Sequence, residues 1–336
     1  MQYKKLGNTG TTVSRLCMGC MSYGDGKWRE WTVGIKEAKE HFALALEAGI
    51  NFFDTADVYS TGTSEEITGQ CLSEMASRDD IVLATKVHGP MGDGPNRRGL
   101  SRKHIIEACE NSLRRLRMDY IDLYQIHRWD FSTPIEETLS ALDFLVRDGK
   151  VRYLGASSMA AWQFSRALHV AKENSLHRFV SMQNHYNLIY REEEREMNPL
   201  CIDEGVALIP WSPLARGYFA GQRTKTEGEG PTKRAQTDAM TRRMYFNDSD
   251  EEVALAVNKV AKSHGKTPTQ IACAWVLQSP GVVAPIVGAT KSRHLTEIFE
   301  TVDIELTTND IAKMEAPYRP HPILGHTQPD PKRMKR

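Results

Sequence analysis

Four side chains with complementary acid–base properties lie close together along the first half of the chain. Asp54, Lys86 and His127 each end an apolar run, and Tyr59 lies in the segment that follows Asp54. A tyrosine is a weak acid with a reference pKa of about 10, and a neighbouring ammonium favours its phenolate form. Asp54 is expected to pair with Lys86, and an imidazole can hydrogen-bond a substrate oxygen. The sequence therefore predicts a proton-transfer site with Tyr59 as the proton donor.

Other apolar runs of the chain also end in polar or small residues. These residues are Ser157, Ser158, Gln183, Asn184, Trp211, Ser212, Gly288 and Thr290. Each of the first four residues alone has an ordinary structural explanation: a turn or cap for Asp54, a solvated charge for Lys86, a paired polar side chain for His127 and packing for Tyr59. A ring of polar groups at a buried rim costs free energy unless the groups are paired, so a purely structural sheet has no need of one. The pattern predicts a functional site where these strands end.

The elements that position these residues alternate in type. Eight runs rich in β-branched and aromatic residues alternate with segments whose apolar residues recur at helical spacing. The runs are residues 15–19, 50–56, 81–87, 120–127, 151–157, 179–186, 206–212 and 282–289. Near-continuous apolar strands between helices indicate a parallel sheet that is buried on both faces.

Eight such units predict a (β/α)8 TIM barrel, with the active site at the carboxyl ends of the strands. Gly49, Gly149 and Gly205 come directly before predicted strands, where a helix commonly ends in a left-handed residue. A doubly wound open sheet is the alternative, and it would favour a G-x-G-x-x-G turn after the first strand. The chain reads MGCMSYGDG there instead.

Three stretches fall outside the eight units of the single domain predicted over 1–336. Residues 1–14 contain turn residues between two short polar-apolar segments, which predicts a β-hairpin before the barrel. Residues 213–250, after the seventh predicted strand, are rich in glycine and charge without periodicity, which is typical of a lid-like loop or disorder. We expect the proline-rich C-terminal tail, 317–336, to be extended and to take no part in the chemistry.

Charge and composition favour a small-molecule partner. The 336 residues include 43 Lys+Arg and 43 Asp+Glu, so no basic excess favours nucleic acid or a membrane surface. There is no apolar leader and no run of about 18 apolar residues, so we expect a cytoplasmic protein. Cys17 and Cys20 have a metal-like spacing, but no second such pair or His pair completes a zinc site, so no metal is expected. The sequence leaves the oligomeric state open.

The chain resembles the aldo-keto reductases from KLGNTG near its start to IVGATK near its end. INFFDTADVY, which ends in Tyr59, and LATKV, which contains Lys86, are similar to the first two signatures of that family. DYIDLYQIHRWD, which contains His127, is similar to the third. The resemblance implies that Asp54, Tyr59, Lys86 and His127 form a catalytic tetrad. In such a tetrad the nicotinamide of NADPH gives hydride to a carbonyl carbon while the tyrosine protonates the oxygen.

The resemblance also implies which residues bind the cofactor. Ser157, Ser158 and Gln183 stand where the family holds the nicotinamide carboxamide, although Ser158 replaces the usual Asn or Arg. Trp211 stands where an aromatic ring stacks on the nicotinamide. Further residues correspond to positions along the pyrophosphate and the adenosine phosphate. They are Ser212, Leu214, Arg216, Gly217, Gly288, Thr290, His294 and Glu297.

The loop after the last predicted strand favours NADPH over NADH. Lys291, Arg293 and His294 fall within four residues, and the 2′-phosphate of NADPH carries close to two negative charges. Charge-assisted hydrogen bonds to that phosphate have no counterpart in NADH. Arg223 in the lid-like loop is a further candidate. His294 and Ile298 depart from the family's usual Arg or Gln and Asn at these positions.

Loops at the mouth of the predicted barrel are rich in aromatic residues. Tyr23, Trp28, His88 and Trp129 are the predicted substrate-binding residues. Such an apolar and aromatic set suits aryl or medium-sized carbonyl compounds.

Two other functions fit a barrel of this kind. A glycosidase needs two facing carboxylic acids, and Asp54 is the only obvious strand-end carboxylate. A cofactor-binding regulatory subunit resembling the beta subunits of potassium channels is the second alternative, because those subunits retain the tetrad. The chain has no extended segment before the predicted barrel, which favours the enzyme. Oxidation of NADPH that depends on a carbonyl compound separates the two.

Overall fold

Eight parallel strands form one sheet in the computed structural model, which describes residues 1–221 and 228–327. Each strand lies within one of the predicted apolar runs. After a hairpin of β1 (Tyr3–Lys5) and β2 (Thr12–Ser14), the sheet strands are β3 (Cys17–Gly19), β4 (Phe52–Asp54), β5 (Val82–Val87), β6 (Ile121–Ile126), β7 (Val151–Ser157), β8 (Phe179–Gln183), β9 (Ala207–Leu208) and β10 (Ile286–Val287). Their order is β10-β3-β4-β5-β6-β7-β8-β9, so consecutive strands are neighbours throughout.

The sheet also closes between its first and last strands. Parallel bridges join Leu208 to Val282 and Trp211 to Ile286, and the amide of Ile286 donates to the carbonyl of Pro210 at 2.8 Å. These bonds link the chain after β9 to the segment that leads into β10. The prediction of a (β/α)8 barrel is confirmed.

The barrel interior is filled by apolar side chains at its amino-terminal end. Phe52, Ala84 and Leu123, from neighbouring strands, belong to one buried cluster. Leu6 and Val13 of the N-terminal hairpin join the same cluster. The predicted hairpin is therefore present, and it closes one end of the barrel. The other end is left for polar residues.

Helices connect the strands and cover the outside of the barrel. They are α1 (Ile35–Glu47), α2 (Thr63–Met75), α3 (Arg102–Leu116), α4 (Ile135–Arg147), α5 (Ala161–Glu173), α6 (Met197–Asp203), α7 (Lys233–Thr237), α8 (Ala239–Met244), α9 (Asp248–His264), α10 (Pro268–Gln278), α11 (Ser292–Phe299) and α12 (Thr308–Glu315). Gly49, Gly149 and Gly205 have φ of 81°, 79° and 65° at the ends of α1, α4 and α6. They end these helices as predicted.

The stretch 213–250 contains more regular structure than its composition predicts. Its described part, residues 213–221 and 228–250, is called the lid below. The lid includes α7 and α8 and the first residues of α9. Helices this short span fewer than two turns, so they leave no periodic apolar pattern in the sequence. Residues 222–227, which include the candidate Arg223, lie outside the described residues.

The C-terminal tail wraps over the barrel in its described part. The Thr327 hydroxyl donates to the carbonyl of Trp129 at 2.8 Å, and a Cβ built on Gly325 would lie 3.0 Å from the indole of Trp211. The segment is extended, as expected, but it packs directly against the strand ends. Residues 328–336 lie outside the described part.

Two further observations concern membrane-spanning helices and two of the cysteines. Within the described ranges, no helix is both long and apolar enough to cross a membrane. Cys17 and Cys20 are buried free thiols, and they belong to separate apolar clusters.

Candidate active site

Polar residues occupy the inward-facing positions near the carboxyl ends of several strands. Alternate residues of a strand face the same side, so Lys86 follows Ala84 into the barrel interior. Gln125 is the partner of Lys86 in the register of β5 and β6. Asp54 and Gln183 are the last residues of β4 and β8. The fold thus brings four polar side chains to one end of the barrel.

Lys86 lies at the centre of a buried ion pair. Its Nζ donates to Asp54 Oδ1 at 2.6 Å and to the carbonyl of Thr55 at 2.6 Å. Burial alone would lower the pKa of Lys86, but the Asp54 carboxylate and the Tyr59 phenol outweigh burial and raise it above its ordinary value. Lys86 is therefore a fixed ammonium beneath the barrel mouth.

The Asp54 carboxylate is held by neutral donors as well as by Lys86. The side-chain amides of Gln125 and Gln183 each donate to Asp54 Oδ2 at 2.9 Å. Both carboxylate oxygens are thus hydrogen-bonded, and Asp54 is buried. A glycosidase requires one carboxyl group to act on the sugar and a second to face it. Asp54 is engaged in positioning Lys86 and does not fit that role.

Tyr59 reaches Lys86 from a strained turn after β4. Ser60 and Thr61 have φ of 49° and 52°, a left-handed conformation that is costly for residues other than glycine. The Ser60 hydroxyl donates to the carbonyl of Tyr23 at 2.9 Å and stabilises the turn. Tyr59 Oη lies 3.3 Å from Lys86 Nζ. The turn therefore aims the phenol at the ammonium.

His127 completes the group at the end of β6. Its ring is edge-on to that of Tyr59, with the centroids 5.7 Å apart. Burial lowers the pKa of His127 well below its ordinary value, and the positive charges of Arg128 and Lys86 lower it further. A neutral imidazole offers one N–H donor. The four residues predicted as an acid–base site thus lie together in the structure.

Trp211 lies beside this group, held in one orientation. Its indole stacks on the His185 ring at a centroid distance of 4.2 Å and an angle of 11°, and its Nε1 donates to Ser158 Oγ at 2.9 Å. His185 in turn stacks on Tyr190 at 4.1 Å. Trp211 also lines a cavity of about 690 Å³ that includes Tyr59 and His127. The stack fixes the indole at the wall of this cavity.

The chain that follows Trp211 along the cavity has an unusual backbone. Ser212, Ala215 and Arg216 have φ of 55°, 46° and 56°, although none of them is glycine. Within the lid, Arg216 pairs with Asp238 through a buried ion pair of 2.6 Å. Strain of this kind persists where the surrounding structure fixes it, and it clusters at ligand sites.

Comparison with known proteins identifies the family. Residues 15–319 match the model of the aldo/keto reductase family. Versiconal hemiacetal acetate reductase of Aspergillus parasiticus is 42% identical over 344 residues, which cover 96% of this chain and 98% of that protein. Aldo-keto reductases of Alternaria alternata and Metarhizium robertsii are 39% and 38% identical, and the alignments cover 97% of this chain and 94% of each relative. The chain belongs to the aldo-keto reductase family.

Membership makes this aldo-keto reductase an oxidoreductase that acts on carbonyl groups, in a family that generally uses a nicotinamide cofactor. The cavity fits such a cofactor by its volume of about 690 Å³, which is in the range of small-molecule and cofactor sites. At one wall, a Cβ built on Gly288 would lie 2.9 Å from the carbonyl of Gly19, and one on Gly19 would lie 2.7 Å from Ile286. Glycine at both positions therefore lets β3 and β10 approach closely beside the cavity.

The structure brings most predicted cofactor residues of this aldo-keto reductase to the cavity. Those that line it are Gln183, Trp211, Ser212, Leu214, Arg216, Gly217, Gly288, Thr290, His294 and Glu297. Ser157 and Ser158 are buried behind this lining, and the Ser157 hydroxyl donates to the carbonyl of Gln183 at 2.8 Å. Gln183 directs its amide at Asp54 in this structure.

Lys291 and Arg293 lie just outside the cavity of the aldo-keto reductase. Both are exposed at the start of α11. His294 does line the cavity, and burial lowers its pKa, with Arg293 and Lys291 lowering it further. The two cations therefore stand close to the end of the cavity that His294 and Glu297 line. There, Thr267 donates to Glu297 at 2.5 Å.

Only one of the four predicted substrate residues lines the cavity in the structure. Trp28 lines the cavity, with its ring 6.1 Å from that of Tyr59. Tyr23 is buried instead beneath α1, where its hydroxyl lies 3.3 Å from His41 Nδ1. His88 and Trp129 are not part of the cavity lining. The chain after β3 turns Tyr23 inward against α1, which the loop assignment did not predict.

Sequence reasoning missed several residues of the aldo-keto reductase site. Gln125 holds Asp54, Asp238 holds Arg216, and Arg29 and Arg128 line the cavity. The strand period did signal Gln125, because it falls at the same inward phase as Leu123. Arg128 directly follows His127 in the third signature. Asp238 lies within an aperiodic stretch, which carried no signal for its contact.

Proposed function

We propose that this aldo-keto reductase catalyses NADPH-dependent reduction of an aldehyde or ketone to an alcohol, with Tyr59 as the proton donor. The observation that carries this proposal is the 3.3 Å contact between Tyr59 Oη and the buried Lys86 ammonium, at a cavity that His127 also lines. A phenol, a fixed cation and a neutral imidazole are suited to stabilising and protonating a developing alkoxide.

Four side chains of the site have separate roles in the proposed reaction. NADPH, when bound, supplies hydride to the carbonyl carbon. His127, kept neutral by burial and by its cationic neighbours, donates a hydrogen bond to the carbonyl oxygen and orients it. Tyr59 gives its proton to that oxygen as negative charge develops there. Lys86 stabilises the phenolate that remains, and Asp54 keeps Lys86 in place and charged.

The cofactor assignment rests on shape and charge at the cavity. We propose that the nicotinamide stacks on Trp211, with Ser157, Ser158 and Gln183 near its carboxamide. Ser212, Leu214, Arg216 and Gly217 would follow the pyrophosphate, and Gly288, Thr290, His294 and Glu297 the adenosine. Lys291 and Arg293 would pair with the 2′-phosphate. At the opposite end of the cavity, Trp28 would contact the substrate.

The test of this proposal is Tyr59→Phe, compared with wild type. NADPH absorbance is followed with a panel of aldehydes, ketones and keto-sugars. Removal of the phenolic hydroxyl should lower carbonyl reduction by at least ~100-fold, the usual contribution of a general acid. Binding of NADPH, measured by quenching of tryptophan fluorescence, should be retained, because no proposed cofactor contact is removed.

Tyr3→Phe is the matched control. Its hydroxyl also makes one hydrogen bond, at 2.8 Å to the carbonyl of Gly49, but at the amino-terminal end of the barrel. This variant should reduce carbonyls at the wild-type rate. Turnover of Tyr59→Phe near the wild-type rate would refute the proton-donor assignment. If no carbonyl compound oxidised NADPH or NADH with wild-type enzyme, the reductase proposal itself would be wrong.

A further inference from the structure

Arg128 brings a second positive charge to the site, directly after His127 in the chain. It follows β6 at the carboxyl end of the barrel and lines the cavity together with Tyr59 and Trp211. The mechanism proposed above does not use it. Burial lowers the pKa of Arg128, and the neighbouring Tyr59 opposes this effect only in part. A negatively charged ligand in the cavity would explain why a second cation lies beside Tyr59 and His127.

The contacts of Arg128 fix the side chain but leave much of its donor capacity free. Nη1 donates to the carbonyl of His127 at 2.5 Å and lies 3.4 Å from Ser157 Oγ. The guanidinium carbon is 6.0 Å from the centroid of the Trp211 ring. A guanidinium carries five N–H donors. The remaining donors of Arg128 are not held by a carboxylate of the part of the chain that the structure describes.

Arg128 is half-buried, whereas two buried cations of the same region are compensated. Lys86 pairs with Asp54 at 2.6 Å, and Arg216 pairs with Asp238 at 2.6 Å. A charge that is removed from water costs free energy unless a partner of opposite sign or several hydrogen bonds offset the cost. Arg128 lines the cavity. The negatively charged group that pairs with it therefore belongs to a ligand that enters the cavity.

We propose that Arg128 binds an oxygen anion of the substrate, next to the carbonyl group that is reduced. The proposal rests on the function proposed above and specifies its substrate class. In the proposed mechanism Tyr59 and His127 hold the carbonyl oxygen. Arg128 lines the same cavity as these two residues, and its guanidinium carbon is 6.0 Å from the centroid of the Trp211 ring, so its partner is attached close to the carbonyl carbon. The recognised chemistry is a carboxylate, as in a 2-oxo acid, or the ionised phenol of a 2-hydroxyaryl aldehyde.

The experiment compares charged and neutral partners of one carbon skeleton. Benzoylformate and its methyl ester form the carboxylate pair. 2-Hydroxy-5-nitrobenzaldehyde, which is a phenolate at neutral pH, and 2-methoxy-5-nitrobenzaldehyde form the phenolate pair. The ratio of kcat/KM within each pair is measured for wild type and for Arg128→Met, which keeps the length of the side chain and removes its charge.

In Arg128→Met the charged-to-neutral ratio should fall by at least ~10-fold in one of the two pairs, as expected for one charge-assisted hydrogen bond. The pair that responds identifies the source of the anion. Arg128→Lys, which retains a cation, should keep part of the preference. Arg152→Met, an exposed arginine of β7, is the control and should leave both ratios within about threefold of wild type.

Arg128→Gln repeats the measurement if Arg128→Met does not fold, as judged by its melting temperature. Unchanged ratios in both pairs would overturn the proposal while leaving the reductase function intact. Equal loss on all four substrates, with weaker binding of NADPH, would also overturn it, because Arg128 would then hold the cofactor. Failure of every carbonyl compound in wild-type enzyme is a different result, and it refutes the function instead.

Discussion

The buried pair of Asp54 and Lys86 serves chemistry and stability at once. Removing one member of a buried ion pair costs about 3–5 kcal/mol, because the other charge is left uncompensated. Both side chains lie within the barrel wall, so substitutions there disturb the fold as well as the reaction. Tyr59 contacts Lys86 Nζ through its hydroxyl at 3.3 Å and through its ring at 4.7 Å from the centroid, and phenylalanine would keep the ring. A change at Tyr59 therefore reports on proton transfer more directly than a change at either charge.

The exposed cations of α11 predict a preference for NADPH over NADH. Lys291 and Arg293 stand beside His294 at the end of the cavity where we propose that the adenosine binds. Cations are mildly unfavourable there against the dipole at a helix N-terminus. One charge-assisted contact to the 2′-phosphate should give at least ~10-fold higher kcat/KM with NADPH. The double variant Lys291→Ala, Arg293→Ala should lose most of this preference.

The control for this comparison removes two other exposed lysines. Lys172 on α5 and Lys313 on α12 are both exposed and distant from the cavity lining. The double variant Lys172→Ala, Lys313→Ala tests whether total charge alone sets the preference, and it should behave as wild type. Two results would show that Lys291 and Arg293 do not bind the 2′-phosphate. One is equal use of NADH and NADPH by wild type, and the other is an unchanged preference in the Lys291→Ala, Arg293→Ala variant.

At the scale of residues, sequence reasoning succeeded where strand ends fix a side chain. Asp54, Lys86 and His127 were predicted from the ends of apolar runs, because a strand's phase determines which residues face inward. Tyr23 was assigned to the mouth of the barrel but lies under α1, because nothing in a short loop indicates which way its side chains turn. Contacts between distant segments, such as Arg216 with Asp238, leave no local pattern.

At the scale of elements, the two described parts of the lid, 213–221 and 228–250, are joined by ion pairs to Asp238. Asp238 accepts from Arg216 and Arg234 at 2.6 Å and 3.3 Å. Burial would raise the pKa of Asp238, but the two guanidinium groups hold it below its ordinary value. Arg234 also stacks on Trp31 of the loop between β3 and α1, at 4.5 Å. The lid therefore contacts the loop that follows β3.

Asp238→Asn should loosen the lid. The substitution leaves Arg216 and Arg234 without their carboxylate, which favours local opening. Cleavage of the lid by trypsin should become at least ~10-fold faster, since about 1.4 kcal/mol of local stability corresponds to a factor of ten. Saturating NADPH should slow cleavage of wild type, because a bound cofactor orders the lid over the pyrophosphate.

Glu229→Gln is the control for the lid. Glu229 is exposed in the same segment, so its loss of charge should leave the cleavage rate unchanged. Wild-type cleavage that proceeds equally fast with and without NADPH would argue against the lid hypothesis. A cleavage rate of Asp238→Asn equal to that of wild type would show that the arginine contacts do not hold the lid closed.

Sequence patterns predicted the repeating strands and helices of the barrel better than they predicted the lid and the C-terminal tail. Eight strands and the hairpin followed from apolar runs and turn residues, since each βα unit repeats the same pattern. The short helices α7 and α8 of the lid were not predicted, because five- and six-residue helices take their order from tertiary contacts. The tail was predicted as extended, but its contact with Trp129 and Trp211 depends on the folded barrel.

At the scale of the whole molecule, burial of histidines links stability to pH. Burial lowers the pKa of His88 to about 4, below its unfolded value of about 6.5. Between these two values the unfolded chain binds a proton that the folded protein excludes. The stability contributed by neutral His88 is therefore complete above pH 6.5 and is lost as the pH falls toward 4. The loss amounts to about 3 kcal/mol when the shift is complete.

His88→Gln should remove this dependence, since glutamine does not titrate. The free energy of unfolding of wild type and variant is measured by urea denaturation between pH 7 and pH 4.5. Relative to the variant, wild type should lose about 2–3 kcal/mol over this interval. His169→Gln on α5 is the control, because the His169 side chain is 66% exposed, and its difference from wild type should stay nearly constant with pH. If the free energies of unfolding of wild type and His88→Gln changed in parallel with pH, the folded protein would take up the proton at His88 as readily as the unfolded chain.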